Sequence, residues 1–206
     1  MIARHVLLRL ALLPVLFLAG CADDTPHWPP LAADDVILAF GDSLTRGTGA
    51  AADASYPVVL AELSGHAVVN EGVPGELSAA GLARLGGVLE RVRPALVVLC
   101  HGGNDMLRKL SQDAARDNLA AMIALAREHG ARVLLLGVPA PGLWLSTAEF
   151  YREVATSTRT PLLDDALADI LGQAALKADP VHPNAAGYHE LAGRIAARLR
   201  ELGALP

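Results

Sequence analysis

Four short stretches of the chain hold the residues able to do chemistry. They read F-G-D-S-L-T-R-G from Phe40, N-E-G-V-P-G-E from Asn70, H-G-G-N-D from His101 and D-P-V-H-P-N from Asp179. Acyl transfer needs a nucleophile, a base within hydrogen-bond reach, a group that orients the base, and donors for the developing oxyanion. Ser43 offers the hydroxyl and His182 the base. Asp179, three residues earlier on a turn preset by Pro180, can reach the second imidazole nitrogen and hold the tautomer. The N–H groups of Ser43 and Gly75 and the side-chain amide of Asn104 are the candidate oxyanion donors. Gly75 has no Cβ and so lets a ligand come close to the backbone, and Gly72 is the alternative within the same stretch.

Other chemistries fit less well. The residues after Ser43 lack both G-x-G-x-x-G and G-K-[ST], which disfavours a phosphate loop. An α/β-hydrolase elbow wants G-x-S-x-G, whereas Leu44 and Thr45 follow this serine. No pair of His, Cys or carboxylate residues at metal-ligand spacing is backed by a second pair, so no metal is expected. Among the polar residues nearby, Asp42 reads as a turn, cap or brace of the serine loop. Asp105 reads as a local brace of the Asn104 loop, Arg108 as a loop contact with an anionic substrate group as the alternative, and His101 as a loop contact.

The elements that must position these groups alternate in type. Short Val- and Leu-rich runs at Val36–Phe40, Ala67–Asn70, Leu96–Cys100 and Val133–Val138 read as buried strands, with a marginal fifth at Pro161–Leu163. Helical patterns fall at Tyr56–Leu63, Leu77–Val92, Ala114–His129, Ala148–Thr158 and Ala185–Leu202. Asn184 reads as the N-cap of the last helix, which would hold His182 just outside a helix start. Strand–helix alternation predicts a three-layer α/β/α fold with a central parallel sheet of about five strands. In such folds ligands bind beyond the carboxyl ends of the strands, where all four stretches fall.

These stretches, in this order, resemble the four signature blocks of the SGNH (GDSL) hydrolase family, and most nearly its bacterial acyl-CoA thioesterase I/lysophospholipase and arylesterase branch. The likeness runs from about Val36 to about Leu202. It implies a flavodoxin-like hydrolase domain over 34–206 and a serine esterase or acylhydrolase acting on aryl or acyl esters, thioesters or lysophospholipids. It also implies a Ser43–His182–Asp179 triad, with Ser43, Gly75 and Asn104 around the oxyanion and no cofactor. The glycine block departs from the pattern: Asn-Glu-Gly stands where that branch often has Asn-Ala-Ser, and Pro74 removes a donor beside Gly75. A carbohydrate or peptidoglycan O-acetyl esterase is the alternative enzyme. A non-catalytic ligand-binding envelope lipoprotein is the alternative of another class. Leu143 and Trp144, after the fourth strand, are candidate lining for the substrate pocket.

Composition narrows the rest. The 206 residues are 52% hydrophobic with a net charge of −5, enough for one core and no electrostatic footprint for nucleic acid. Residues 1–20 carry Arg4 and Arg9, then an apolar run, then Leu-Ala-Gly before Cys21. This layout is a secretory signal and its end resembles the bacterial lipobox, in which the cysteine is acylated. Residues 21–33 read as a Pro-rich tether. The expected location is therefore the cell envelope of a bacterium, periplasm-facing and held to a membrane by the lipid, or secreted if Cys21 is unmodified. With Cys21 acylated, Cys100 has no disulfide partner and reads as a buried core residue.

Overall fold

The structure, a computed structural model, describes residues 27–142 and 145–206. The leader 1–20, Cys21, Leu143 and Trp144 lie outside the described residues.

Five parallel strands, β1 (Val36–Gly41), β2 (Ala67–Gly72), β3 (Leu96–Cys100), β4 (Arg132–Leu136) and β5 (Leu162–Leu163), form one sheet in the order β2-β1-β3-β4-β5. β1 and β3 are buried on both faces: Ile37, Leu38, Ala39 and Phe40 are fully enclosed, as are Leu96 and Val98. That is why both read as unbroken apolar runs. Each of these side chains larger than alanine contributes roughly 1.5–3 kcal/mol of burial. The described residues form eight α-helices, the longer of which cover the two faces: α1 (Ser43–Arg46), α2 (Tyr56–Ser64), α3 (Ser78–Val92), α4 (Gly103–Leu107), α5 (Gln112–Glu128), α6 (Glu149–Thr158), α7 (Ala166–Gly172) and α8 (Ala185–Glu201). The three-layer α/β/α expectation is met. No helix among the described residues is long and apolar enough to cross a membrane.

The strand order reverses between β1 and β3, because the chain leaves β1 for β2 on one side and returns to β3 on the other. Such a switch opens a crevice beyond the strand ends. Ser43 follows β1 and Asn104 follows β3, so both border that crevice.

Three differences from the sequence pattern stand out. The fourth apolar run extends to Val138, but the strand stops at Leu136: Thr147 sits against Gly137, where a Cβ would come 2.6 Å from its side chain, and Pro139 has no N–H to extend a ladder. The short helix α7 was not in the pattern, although Asp164-Asp165 before it and Gly172 at its end are start and stop signals. The stretch 27–33 is not free of the domain. The Trp28 N–H donates to Leu202 O (2.6 Å) and the Leu31 N–H to Ala204 O (2.9 Å). Arg132 donates to Pro29 O and lies 5.7 Å over the Trp28 ring.

Candidate active site

Gly41 ends β1 with no room for a side chain, since a Cβ there would lie 2.0 Å from Cys100 O on β3. The chain then turns at Asp42, whose Oδ1 accepts the Leu44 N–H at 3.0 Å and caps α1. Ser43 is thereby the first residue of a one-turn helix at the sheet's carboxyl edge. Across the crevice, Asn184 caps α8 by accepting the Gly187 N–H at 3.0 Å, as its position predicts, and His182 sits just ahead of that cap.

The three groups meet in a hydrogen-bonded chain. His182 Nε2 is 3.0 Å from Ser43 Oγ, and His182 Nδ1 is 2.7 Å from Asp179 Oδ2. Asp179 Oδ1 also accepts the N–H groups of Val181 (2.8 Å) and His182 (2.9 Å), fixing the turn. Desolvation pushes the Asp179 carboxyl up, but the Val181 N–H and the His182 ring and N–H outweigh it and hold the group below its ordinary 3.8. An ionised Asp179 favours a proton on Nδ1 and leaves Nε2 as an acceptor facing the serine hydroxyl.

Asn104 opens α4 next to Gly103. Its Nδ2 donates to Asp42 Oδ2 and to the Glu76 carbonyl, both at 3.1 Å. Asp42 is 2% exposed, and burial pushes its carboxyl up against the pull of His101 and the Leu44 N–H. Asp42 is thus both cap and brace, joining the serine turn to the asparagine turn.

The two glycines of the second stretch have different surroundings. A Cβ on Gly72 would lie 2.2 Å from the Arg46 backbone nitrogen, and the Gly72 N–H is taken by Asn70 Oδ1 at 2.9 Å. Gly72 lets the end of β2 pack beneath α1. Gly75 has φ +76° and meets only the Arg108 guanidinium, 3.9 Å from its notional Cβ. Arg108 donates to Gly75 O at 3.1 Å, a loop contact as its position suggested.

A part-buried ionic cluster holds this loop, and sequence reading missed it. Glu76 takes two hydrogen bonds from Arg84, at 2.7 and 2.8 Å, and one from His101 Nε2 at 3.1 Å. Arg84 also donates to Glu71 O and lies 4.0 Å over the Phe40 ring. Burial pushes the Glu76 carboxyl up, but Arg84 and His101 more than offset it and leave it below its ordinary 4.5. His101 is fully buried, and its Nδ1 accepts the Gly102 N–H at 3.0 Å. Asp105 also works at longer range than its local reading: its carboxylate takes the Ser78 N–H (2.9 Å) and hydroxyl (2.8 Å), capping α3 from 27 residues away. The only sequence signal for the cluster was the company of His101 and Glu76 with Asn104 and Gly75, since its members lie on three separate elements.

Ser43, Asn104 and His182 open into a cavity of about 190 Å³ walled by Leu44, Leu107, Val138, Leu145, Leu171 and Val181. Pro141, Gly142 and Leu145, flanking the expected pocket residues 143 and 144, line it too. Among the described residues no group of three or more His, Cys, Asp or Glu side chains could hold a metal ion.

A serine, an imidazole and a carboxylate thus stand in hydrogen-bond sequence at the switch point of a parallel α/β/α sheet, an arrangement able to carry out acyl transfer. The GDSL-like Lipase/Acylhydrolase family matches residues 39–190, and the chain belongs to it. It is 34% identical over 182 residues to Esterase TesA of Pseudomonas aeruginosa, across 83% of this chain and 90% of that protein. Thioesterase 1/protease 1/lysophospholipase L1 of Escherichia coli is 29% identical over 179 residues, across 83% and 86% respectively. The crystal structure of TesA superposes with a TM-score of 0.74 at 32% identity, over 82% of this chain and 99% of that one. AlinE4, an SGNH-hydrolase family esterase, superposes with a TM-score of 0.64 at 32% identity, over 83% and 97%.

Proposed function

We propose that Ser43 is the nucleophile of this esterase, His182 its general base and acid, and Asp179 the group that orients His182. The observation that carries the reading is the 3.0 Å and 2.7 Å hydrogen-bond sequence from Ser43 through His182 to Asp179. His182 takes the hydroxyl proton as Oγ attacks the ester carbonyl, then gives it to the leaving alkoxide or thiolate. Water, deprotonated by the same ring, releases the acid from the acyl-serine. The oxyanion is held by the N–H groups of Ser43 and Gly75 and by Asn104 Nδ2, which shifts one of its two hydrogen bonds to the substrate. The close backbone packing at Gly72 favours Gly75 as the glycine donor.

The substrate is a carboxylic ester or thioester with an acyl or aryl group that fits an apolar cavity of about 190 Å³. That is smaller than the roughly 300–1,000 Å³ of sites for drug-sized ligands, which supports a preference for short acyl groups. Residues 1–20 are a leader, Cys21 carries the acyl anchor, 21–33 link it to the domain at 34–206, and the enzyme works in a bacterial envelope. The name of the E. coli relative supports thioester and lysophospholipid cleavage as further activities.

The test is a p-nitrophenyl ester series, acetate to palmitate, with wild type and Ser43→Ala side by side. Turnover that peaks at short chains and disappears in the variant is the expected result. Equal activity in Ser43→Ala would overturn the mechanism. A fluorophosphonate probe that fails to label Ser43 in the folded protein would favour a ligand-binding lipoprotein instead.

A further inference from the structure

The stretch from His27 to Ala33 docks at one pole of the domain, and the active site opens at the other. The docked stretch is held by Leu202 and Ala204, after the end of α8, and by Arg132, the first residue of β4. Gly203, at φ +81°, makes room for it: a Cβ there would lie 2.6 Å from the His27 ring and 2.7 Å from Trp28 O. Ser43 and Asn104, by contrast, follow the last residues of β1 and β3. α8 measures the separation. His182 lies just before its N-cap and Trp28 is bound at its C-cap, with seventeen helical residues between, about 25 Å at 1.5 Å per residue.

The reach of the chain then limits how the domain can sit. Cys21 is six residues before His27, a span of at most about 22 Å in any conformation. The 180 residues from His27 to Pro206 form a body of roughly 20 Å radius. A path over its surface from one pole to the other is then about 60 Å, nearly three times the tether. Arg93, Arg127, Arg159 and Arg200 also lie at the docked pole, at the C-terminal ends of α3, α5, α6 and α8. Asp34, Asp35, Glu128 and Glu201 share the pole with them, so its charges are mixed and the orientation rests on the reach of the tether.

We propose that the pole formed by the docked 27–33 stretch, Arg132 and the C-terminal ends of α5 and α8 is the membrane-facing surface of the anchored enzyme. The catalytic mouth faces away from that bilayer and takes esters from the aqueous side, not lipids of the membrane that holds Cys21. This rests on the reading of Cys21 as acylated and of Ser43 as the reactive group.

The full chain, matured in a bacterial host and reconstituted in phosphatidylcholine vesicles, provides the test. α5 supplies a ruler: a fluorophore on Glu128→Cys marks its docked-pole end and one on Gln112→Cys its mouth end, while native Cys100 is buried. A nitroxide lipid headgroup, which quenches only at short range, is expected to quench the dye at 128 several-fold more than the dye at 112. Equal or reversed quenching would overturn the orientation. A flexible insert of roughly 20 residues between Cys21 and His27 is expected to abolish the difference. In parallel, a fluorogenic acyl-ester lipid is placed either in the anchoring vesicles or in separate ones, with a water-soluble p-nitrophenyl ester as reference. No rate advantage for ester lipid in the anchoring membrane is expected, and a clear advantage would overturn the proposal. Two failures are told apart. If mass analysis finds Cys21 unacylated and the protein does not float with vesicles, the anchor and this proposal fall while hydrolysis of the soluble ester stands. If the labels report the orientation but the soluble ester is untouched, the substrate half falls together with the reading of Ser43.

Discussion

Two histidines among the described residues sit against a carboxylate, and they differ in what their other nitrogen meets. His182 is bound to Asp179 through Nδ1 at 2.7 Å and turns Nε2 to the Ser43 hydroxyl. His101 is bound to Glu76 through Nε2 at 3.1 Å, and its Nδ1 accepts the Gly102 N–H. The hydrogen bonds therefore place the ring proton on opposite nitrogens, Nδ1 in His182 and Nε2 in His101. The first pair lies on an exposed turn with Asp179 44% accessible, and the second is buried, with His101 at 0% and Glu76 at 8%. A His–carboxylate pair is thus no mark of a catalytic base. The group on the remaining nitrogen decides: a hydroxyl in a cavity gives a proton relay, and a backbone N–H gives a brace. His101 and Glu76 join the loop bearing Gly75 to the loop bearing Asn104.

Substitutions on the two sides of this comparison should separate in size and kind. Ser43→Ala is expected to lower kcat/KM for p-nitrophenyl butyrate by at least ~10³-fold with the melting temperature little changed. Activity within tenfold of wild type would break the relay half of the comparison. Asn104→Ala should lower kcat by ~10²–10³-fold with KM nearly constant. It should also cost about 1–3 kcal/mol in urea unfolding, because Asp42 Oδ2 loses its buried partner.

Glu76→Gln acts on the brace. It is expected to lower kcat by roughly tenfold, by loosening the two loops, with KM unchanged. Its second signature is pH. Glu76 titrates below its ordinary 4.5 in the folded protein, so the fold prefers the carboxylate ionised. That stabilisation is fully present above 4.5 and is lost as pH falls through the lowered value. Unfolding midpoints of Glu76→Gln should therefore fall less steeply with acid than those of wild type, and parallel curves would refute the brace. The two glycines give the smallest contrast. Gly75→Ala meets open space but a left-handed backbone, which costs roughly 1–2 kcal/mol, with a larger loss of kcat than of stability. Gly72→Ala should do the reverse, since its Cβ meets the Arg46 backbone, an overlap costing about 1–3 kcal/mol or more. Equal kinetic loss in both would remove the distinction between them.

Legibility in the sequence followed the range of the interactions. Apolar runs announced β1 and β3 because both faces of those strands are buried, and Asn184 announced the start of α8 because an N-cap is local chemistry. The end of β4 was misplaced because Thr147, eleven residues beyond that end, packs against Gly137. Asp105 was read as a local brace because its partner, Ser78, is 27 residues away. The likeness of the four stretches to a family named Ser43, Gly75, Asn104 and His182 but said nothing of Arg84, which touches Glu76 and the carbonyl of Glu71.

By itself the sequence determined the α/β/α class, the order of the four site stretches and the family to which they belong. These follow from periodicity, caps and residue types at short spacing, which the chain carries wherever it folds. Only the tertiary structure decided that His182 meets a hydroxyl while His101 meets a backbone N–H, that Gly72 is packed and Gly75 open, and that residues 27–33 dock opposite the mouth. The Gly102 N–H is local to His101, but the Glu76 partner of that ring, the Ser43 partner of His182, the Arg46 backbone against Gly72 and the Leu202 carbonyl that holds Trp28 are all tens of residues away. Only the parallel sheet, with its reversal between β1 and β3, brings them within hydrogen-bond or van der Waals reach.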